Sequence, residues 1–216
     1  MLAFVGRERF NRWLNARVAK PLVFILALQP LCWLLFGAVA GQLGPNPAEA
    51  LVRSTGDWTL RFLCVALAVT PVRVGLGLSP LARLRRMLGL FAFFYAMLHF
   101  LAYSWLDKGL EFSEIAADIP KRPFILVGFV SLLLLSLLAA TSWNGAVRRL
   151  GALRWQRLHR AVYLVAGLAI LHFFWMRAAK NNLAAVAVYG AILGVLLGWR
   201  VLRALRSRQA PPVRNS

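Results

Sequence analysis

The chain has 216 residues, 60% of them hydrophobic and only 15% charged, a balance that excludes an ordinary soluble domain and places it among integral membrane proteins. Its net charge of +19 would suit a nucleic-acid ligand if it were gathered on one polar face. The basic residues instead lie between apolar runs, which points to lipid headgroups and membrane topology and away from nucleic acid.

Met1 to Lys20 carries Arg7, Arg9, Arg12, Arg17 and Lys20 among Phe4, Phe10, Trp13 and Leu14, and reads as a basic amphipathic segment at the membrane surface. It holds no apolar stretch long enough for a cleavable signal, so the first span is expected to stay in the mature protein. That span runs from about Pro21 to Ala40 and ends in the turn-rich GQLGPNP. The second runs from about Trp58 to Val74. Asp57 and Arg61 at its entrance have the spacing of a helix-surface ion pair, and Pro71 is expected to bend or end it.

The third span, about Met87 to Leu106, contains His99. The connection after it holds Asp107, Glu111, Glu114 and Asp118, four of the seven acids of the chain, and reads as a candidate docking surface or equally as a solvated connection. Phe124 to Thr141 is a fourth span with nothing titratable, which reads as lipid contact and packing. A basic loop leads to the fifth, Trp155 to Arg177, with His159 near its start and His172 near its end. A short turn around Lys180, Asn181 and Asn182 precedes the sixth, about Leu183 to Leu202, and the basic tail beyond contains Pro211 and Pro212. Cys32 and Cys64 both lie inside apolar runs and are expected to be small buried hydrophobes, with no disulfide or zinc framework available to them.

The expected fold is therefore an all-α polytopic bundle of six transmembrane helices over residues 21–203, each long enough to cross a ~30 Å hydrocarbon layer. A cytoplasmic arm, residues 1–20, and a basic cytoplasmic tail, 204–216, flank it. The N-terminal arm, the second-to-third and fourth-to-fifth loops and the tail hold 19 Lys and Arg against 6 in the opposite connections. Both termini are accordingly expected in the cytoplasm.

Two histidines then fall at one depth. The third and fifth spans both start on the cytoplasmic side, and His99 and His172 each lie about 20 Å along toward the outer face. Imidazole is the common protein ligand to haem iron, and without a CxxCH motif such a haem is held non-covalently, as haem b. His99 and His172 are thus the candidate axial pair, and they leave no open position on the metal. For either histidine alone, a hydrogen bond to a neighbouring helix is the plain alternative.

His159 stands near the cytoplasmic interface, about 140° around an ideal helix from His172, so the two do not share a face without bending. Beside it in sequence or in register are Arg83, Arg85, Arg86, Arg157 and Arg160. These donors suit a phosphate or an anionic cofactor such as FMN, and equally lipid headgroups.

RRMLGLFAFFYAMLHF and LHRAVYLVAGLAILHFFW resemble the corresponding spans of the MsrQ (YedZ) family, the haem-binding membrane subunits of bacterial MsrPQ methionine sulfoxide reductase systems. The spacing of His159 and His172 alone resembles only the wider ferric reductase and NADPH oxidase transmembrane superfamily. The resemblance covers most of the chain and implies a haem b, an FMN, and delivery of electrons to MsrP, a periplasmic molybdopterin enzyme that repairs oxidised envelope proteins. It carries His99 and His172 over as haem ligands and His159 as a second-site or haem-associated residue. Where the superfamily places another third-span histidine this chain has Arg85 or Arg86, so ligand count does not support a second bis-histidine haem. Only fourteen residues follow Leu202, too few for the oxidases' FAD and NADPH domain, and the implied donor is a cytoplasmic flavin reductase or the quinone pool. A free-standing ferric or cupric reductase is the nearest alternative, and a proton-coupled transporter using its histidines as relays is the alternative of another class.

Overall fold

The computed structural model describes residue 8, residues 11–178 and residues 183–209. Arg7, Arg9, Phe4 and Phe10 of the arm, the turn at Lys180, Asn181 and Asn182, and the tail prolines lie outside the described residues. No strand occurs among those described. The helices are α1 (Ala19–Val39), α2 (Pro47–Leu76), α3 (Arg85–Ala102), α4 (Phe112–Lys121), α5 (Pro123–Ala140), α6 (Asn144–Leu150), α7 (Ala152–His159), α8 (Ala161–Ala178) and α9 (Ala184–Gln209). A 3-10 turn, Ser79–Arg83, precedes α3, and a π-helical turn, Tyr103–Asp107, prolongs it.

Six of these are long and apolar enough to cross a membrane: α1, α2, α3 with its π turn, α5, α7 with α8, and α9. Their outward surface fits no aqueous solvent. Ile25, Leu26, Trp33 and Val195 are 60 to 71% exposed, an apolar coat of the kind that lipid covers. Inside, Leu63 and Leu67 of α2, Phe91 and Tyr95 of α3, Leu132 and Leu135 of α5, Val165 and Ala166 of α8, and Leu193 of α9 form one buried core. The closest helix pairings are α2 with α3 and α5 with α8.

The second helix corrects the sequence reading at both ends. Asn46 caps it by accepting from the Glu49 amide at 3.1 Å, Pro47 takes the first helical position, and Gly77, at φ 66°, closes it in the left-handed region. It therefore begins eleven residues before Trp58 and runs past Pro71 without ending there. A proline at 71 deprives the Leu67 carbonyl of its helix donor. The Arg200 guanidinium of α9 supplies one instead, donating to the Leu67 oxygen, so the ladder defect is filled from a neighbouring helix. The expected Asp57–Arg61 pair does not form. Asp57 accepts both of its bonds from Arg177 at 3.2 Å, while Arg61 donates to the Tyr189 hydroxyl at 3.1 Å and covers the Trp58 ring.

Three further boundaries differ. The acidic connection contains α4 and is not an open loop. The fifth span breaks at Arg160 into α7 and α8, so His159 and His172 stand on separate helical segments. The sixth helix continues to Gln209, through residues assigned above to the tail. At the N-terminus, residues 11–15 are helical, and Leu14 is buried in the core where a purely membrane-surface segment was expected.

Candidate cofactor site

His99 of α3 and His172 of α8 face each other, with ring centres 6.1 Å apart and ring planes at 77°. Each imidazole is set by the same local device on the helix it packs against. His99 Nδ1 donates to the Val52 carbonyl of α2 at 2.8 Å, and one turn on, Gly56 leaves the space the ring fills. His172 Nδ1 donates to the Phe124 carbonyl of α5 at 2.7 Å, and one turn on, Gly128 does the same. A Cβ at Gly128 would stand 2.9 Å from His172 Nδ1, and one at Gly56 would stand 3.1 Å from His99 Nδ1. A carbonyl can only accept, so both Nδ1 atoms carry the proton and both Nε2 atoms keep a lone pair for a metal.

The two rings line a cavity of about 320 Å³ together with Leu60, Leu63, Leu132, Leu135 and Val165. Two metal–nitrogen bonds of ~2 Å, with ~1.1 Å from each nitrogen to its ring centre, would separate the centres by ~6 Å, which matches the spacing found. No group of three or more His, Cys, Asp or Glu side chains that could hold a metal ion occurs among the described residues. A metal placed between two nitrogens here must bring its other ligands with it, as haem iron does. The residues present fit a haem.

The fourth span, read from sequence as inert packing, supplies both the Phe124 carbonyl and Gly128. Sequence reasoning missed Val52, Gly56, Phe124 and Gly128. The only available signal was a glycine in each of the two helices that flank a histidine helix.

A second cavity, of about 390 Å³, lies at the basic end of the bundle and is lined by Arg73, Arg85, Arg86, Trp155 and His159, among others. His159 stacks on Trp155 with centres 3.9 Å apart, and its Nε2 lies 3.1 Å from the Thr141 hydroxyl. Arg86 donates to Asn144 at 2.8 Å. Of the basic cluster expected here, Arg85, Arg86 and His159 come together. Arg83 turns to Asn15, donating to its backbone and side-chain oxygens at 3.2 Å, and Arg157 and Arg160 are exposed outside the cavity lining. Arg73 and Trp155 take the places they leave. Leu63 and Leu135 line both cavities.

At the acidic end, Asp118 is buried and not offered as part of a docking surface. It accepts from the Tyr103 hydroxyl at 2.7 Å and pairs with Lys108 at 3.1 Å and Arg122 at 3.0 Å. The Tyr103 hydrogen bond, then Lys108 and the Arg122 charge, hold its carboxyl below the ordinary carboxylate value against the opposing effect of burial.

The family described as "Ferric reductase like transmembrane component" matches residues 55–170, a stretch that contains His99 and His159 and stops two residues short of His172. A protein from Polaromonas naphthalenivorans named "Protein-methionine-sulfoxide reductase heme-binding subunit MsrQ" is 62% identical, over 91% of this chain and 88% of its own. Proteins of the same name from Bordetella pertussis and Rhodospirillum rubrum are 53% and 46% identical, over 88% and 90% of this chain and 92% of each of theirs. No solved structure matches the chain significantly. Likeness of this degree along nearly the whole length shows that the chain belongs to the MsrQ family, within the ferric reductase-like transmembrane proteins.

Proposed function

We propose that this protein is a haem b electron-transfer subunit of the bacterial inner membrane. It passes electrons to an MsrP-like periplasmic molybdopterin reductase that restores methionine in oxidised envelope proteins. The observation that carries the reading is the His99–His172 pair, two imidazoles from separate crossings whose Nδ1 protons are fixed on carbonyls and whose ring centres are one metal apart. The names of the relatives, which are called heme-binding subunits of a protein-methionine-sulfoxide reductase, support it.

Haem b, when held there, would supply an iron centre that takes up and returns one electron. The chain's own residues do the rest. Val52 and Phe124 hold the imidazole tautomers, Gly56 and Gly128 admit the rings, and Leu60, Leu63, Leu132, Leu135 and Val165 supply the apolar part of the cavity wall. His99 and His172 would hold the iron.

The second cavity is the proposed FMN site, on the cytoplasmic side with both termini. Arg73, Arg85 and Arg86 provide charge-assisted donors for a phosphate, and the stacked Trp155 and His159 offer a flat aromatic wall. A flavin reductase or the quinone pool would load it, and Leu63 and Leu135, which line both cavities, would stand between the two cofactors.

Pyridine haemochrome analysis with flavin extraction on the purified protein tests the reading. One haem b and one FMN per chain are expected, and a colourless protein would overturn it in favour of a transporter. Reduction of chelated ferric or cupric ions in cells lacking the periplasmic reductase would favour a free-standing metal reductase.

A further inference from the structure

We infer that Asp118 is a positioning residue that sets the mutual orientation of the His99 and His172 imidazoles. The inference rests on the bis-histidine reading and goes beyond it. Three observations converge on this side chain. First, α3 does not end as an α-helix above His99 but widens into the π turn Tyr103–Asp107, the kind of insertion that re-aims the residues it contains. Tyr103, one turn past His99 on the same continuous helix, is thereby brought to donate to Asp118 at 2.7 Å.

Second, the other oxygen of Asp118 accepts from Arg122 Nε at 3.0 Å. Arg122 is the residue before α5 and stands two positions from Phe124, whose carbonyl orients His172. Tyr103 and Arg122 both line the histidine cavity, so the carboxylate joins its two sides. Third, the anion at the centre is sheltered, with the Asp118 side chain 9% exposed and that of Lys108, 3.1 Å from it, 16% exposed, while Arg122 reaches it from a side chain 54% exposed. A sheltered anion that accepts from three donors holds geometry better than an isolated surface pair, and its loss leaves Lys108 and the Tyr103 phenol without their partner. Asp118 touches neither histidine. It acts by clamping the end of one ligand's helix to the start of the helix that holds the other ligand.

The ring planes stand near perpendicular, at 77°. In a ferric haem with two imidazole ligands, the spread of the low-spin electron paramagnetic resonance signal follows that angle, and the readout is therefore geometric and independent of turnover. With the haem-loaded full chain in detergent, Asp118→Ala should move and broaden the low-field feature. Tyr103→Phe and Asp118→Asn should produce smaller changes in the same direction. Glu114→Ala, on the exposed part of α4, and Arg200→Met, which loosens the far end of the bundle, should leave it in place. Superimposable signals from the parent, Asp118→Ala and Tyr103→Phe would overturn the inference while leaving the haem assignment intact. Absence of a b-type haem from the parent would overturn the assignment itself. Should Asp118→Ala hold no haem, the Asn and Phe variants decide the matter by the same shift.

Discussion

Replacing Gly128 by alanine tests the ligand geometry at its tightest point. The added Cβ would lie 2.9 Å from Nδ1 and 3.0 Å from Cε1 of His172, where ordinary carbon contacts begin near ~3.5 Å. The ring must retreat by roughly half an ångström, enough to stretch its 2.7 Å bond to the Phe124 carbonyl to the edge of hydrogen-bonding range. Losing the partner that fixes a ligating imidazole typically weakens metal affinity ~10–100-fold. The helix itself should not suffer, because alanine in place of an interior glycine favours α5 by up to ~1 kcal/mol. The assay is titration of purified apoprotein with haemin, followed by difference absorbance. Gly128→Ala should bind most weakly, and Gly56→Ala, with its 3.1 Å approach to His99, less weakly. Gly167→Ala, with open space around its Cβ on the helix that carries His172, should match the parent. Parent-like affinity and spectrum in Gly128→Ala would refute the reasoning.

Arg200→Met should lower thermal stability in detergent by ~1–3 kcal/mol, because it orphans the Leu67 carbonyl opposite Pro71, and an unchanged melting temperature would contradict that role. His159→Ala should keep the haem spectrum and lose flavin on gel filtration, since His159 stacks on Trp155 in the second cavity and lines no part of the first; loss of the haem band would contradict the division. Asp118 binds its proton more weakly folded than unfolded, so its contribution to stability is complete above the ordinary carboxylate value of 3.8 and disappears as the pH falls further. The parent should therefore lose its advantage over Asp118→Asn on acidification below that value, and a difference between the two that does not depend on pH would count against the buried carboxylate.

The features legible in sequence were those that depend on one residue type at one spacing. Six apolar runs, the basic bias of alternate connections and the matched depth of His99 and His172 needed no knowledge of how helices pack. What escaped detection depends on pairs of helices. Pro71 signals a helix end unless an arginine 129 residues later can fill the carbonyl it vacates, and nothing local to Pro71 announces Arg200. Phe124 and Gly128 looked inert because their role lies in a backbone oxygen and a missing side chain, neither of which has a compositional signature. The acidic connection read as solvated because Asp118 resembles Glu111 and Glu114 until Tyr103, Lys108 and Arg122 are seen around it. The arginine cluster came together only in part, for the same reason. Register placed Arg85 and Arg86 beside His159, but the direction of Arg83 was decided by Asn15 on a distant segment.

The claim that His99 and His172 share one haem is tested most directly by the visible spectrum of the purified His99→Ala/His172→Ala double variant beside each single variant. The account predicts that the low-spin b-type bands disappear from the double variant and change markedly in either single variant, while extractable flavin remains. Bands that persist unchanged in the double variant would contradict it and would place the haem elsewhere in the bundle.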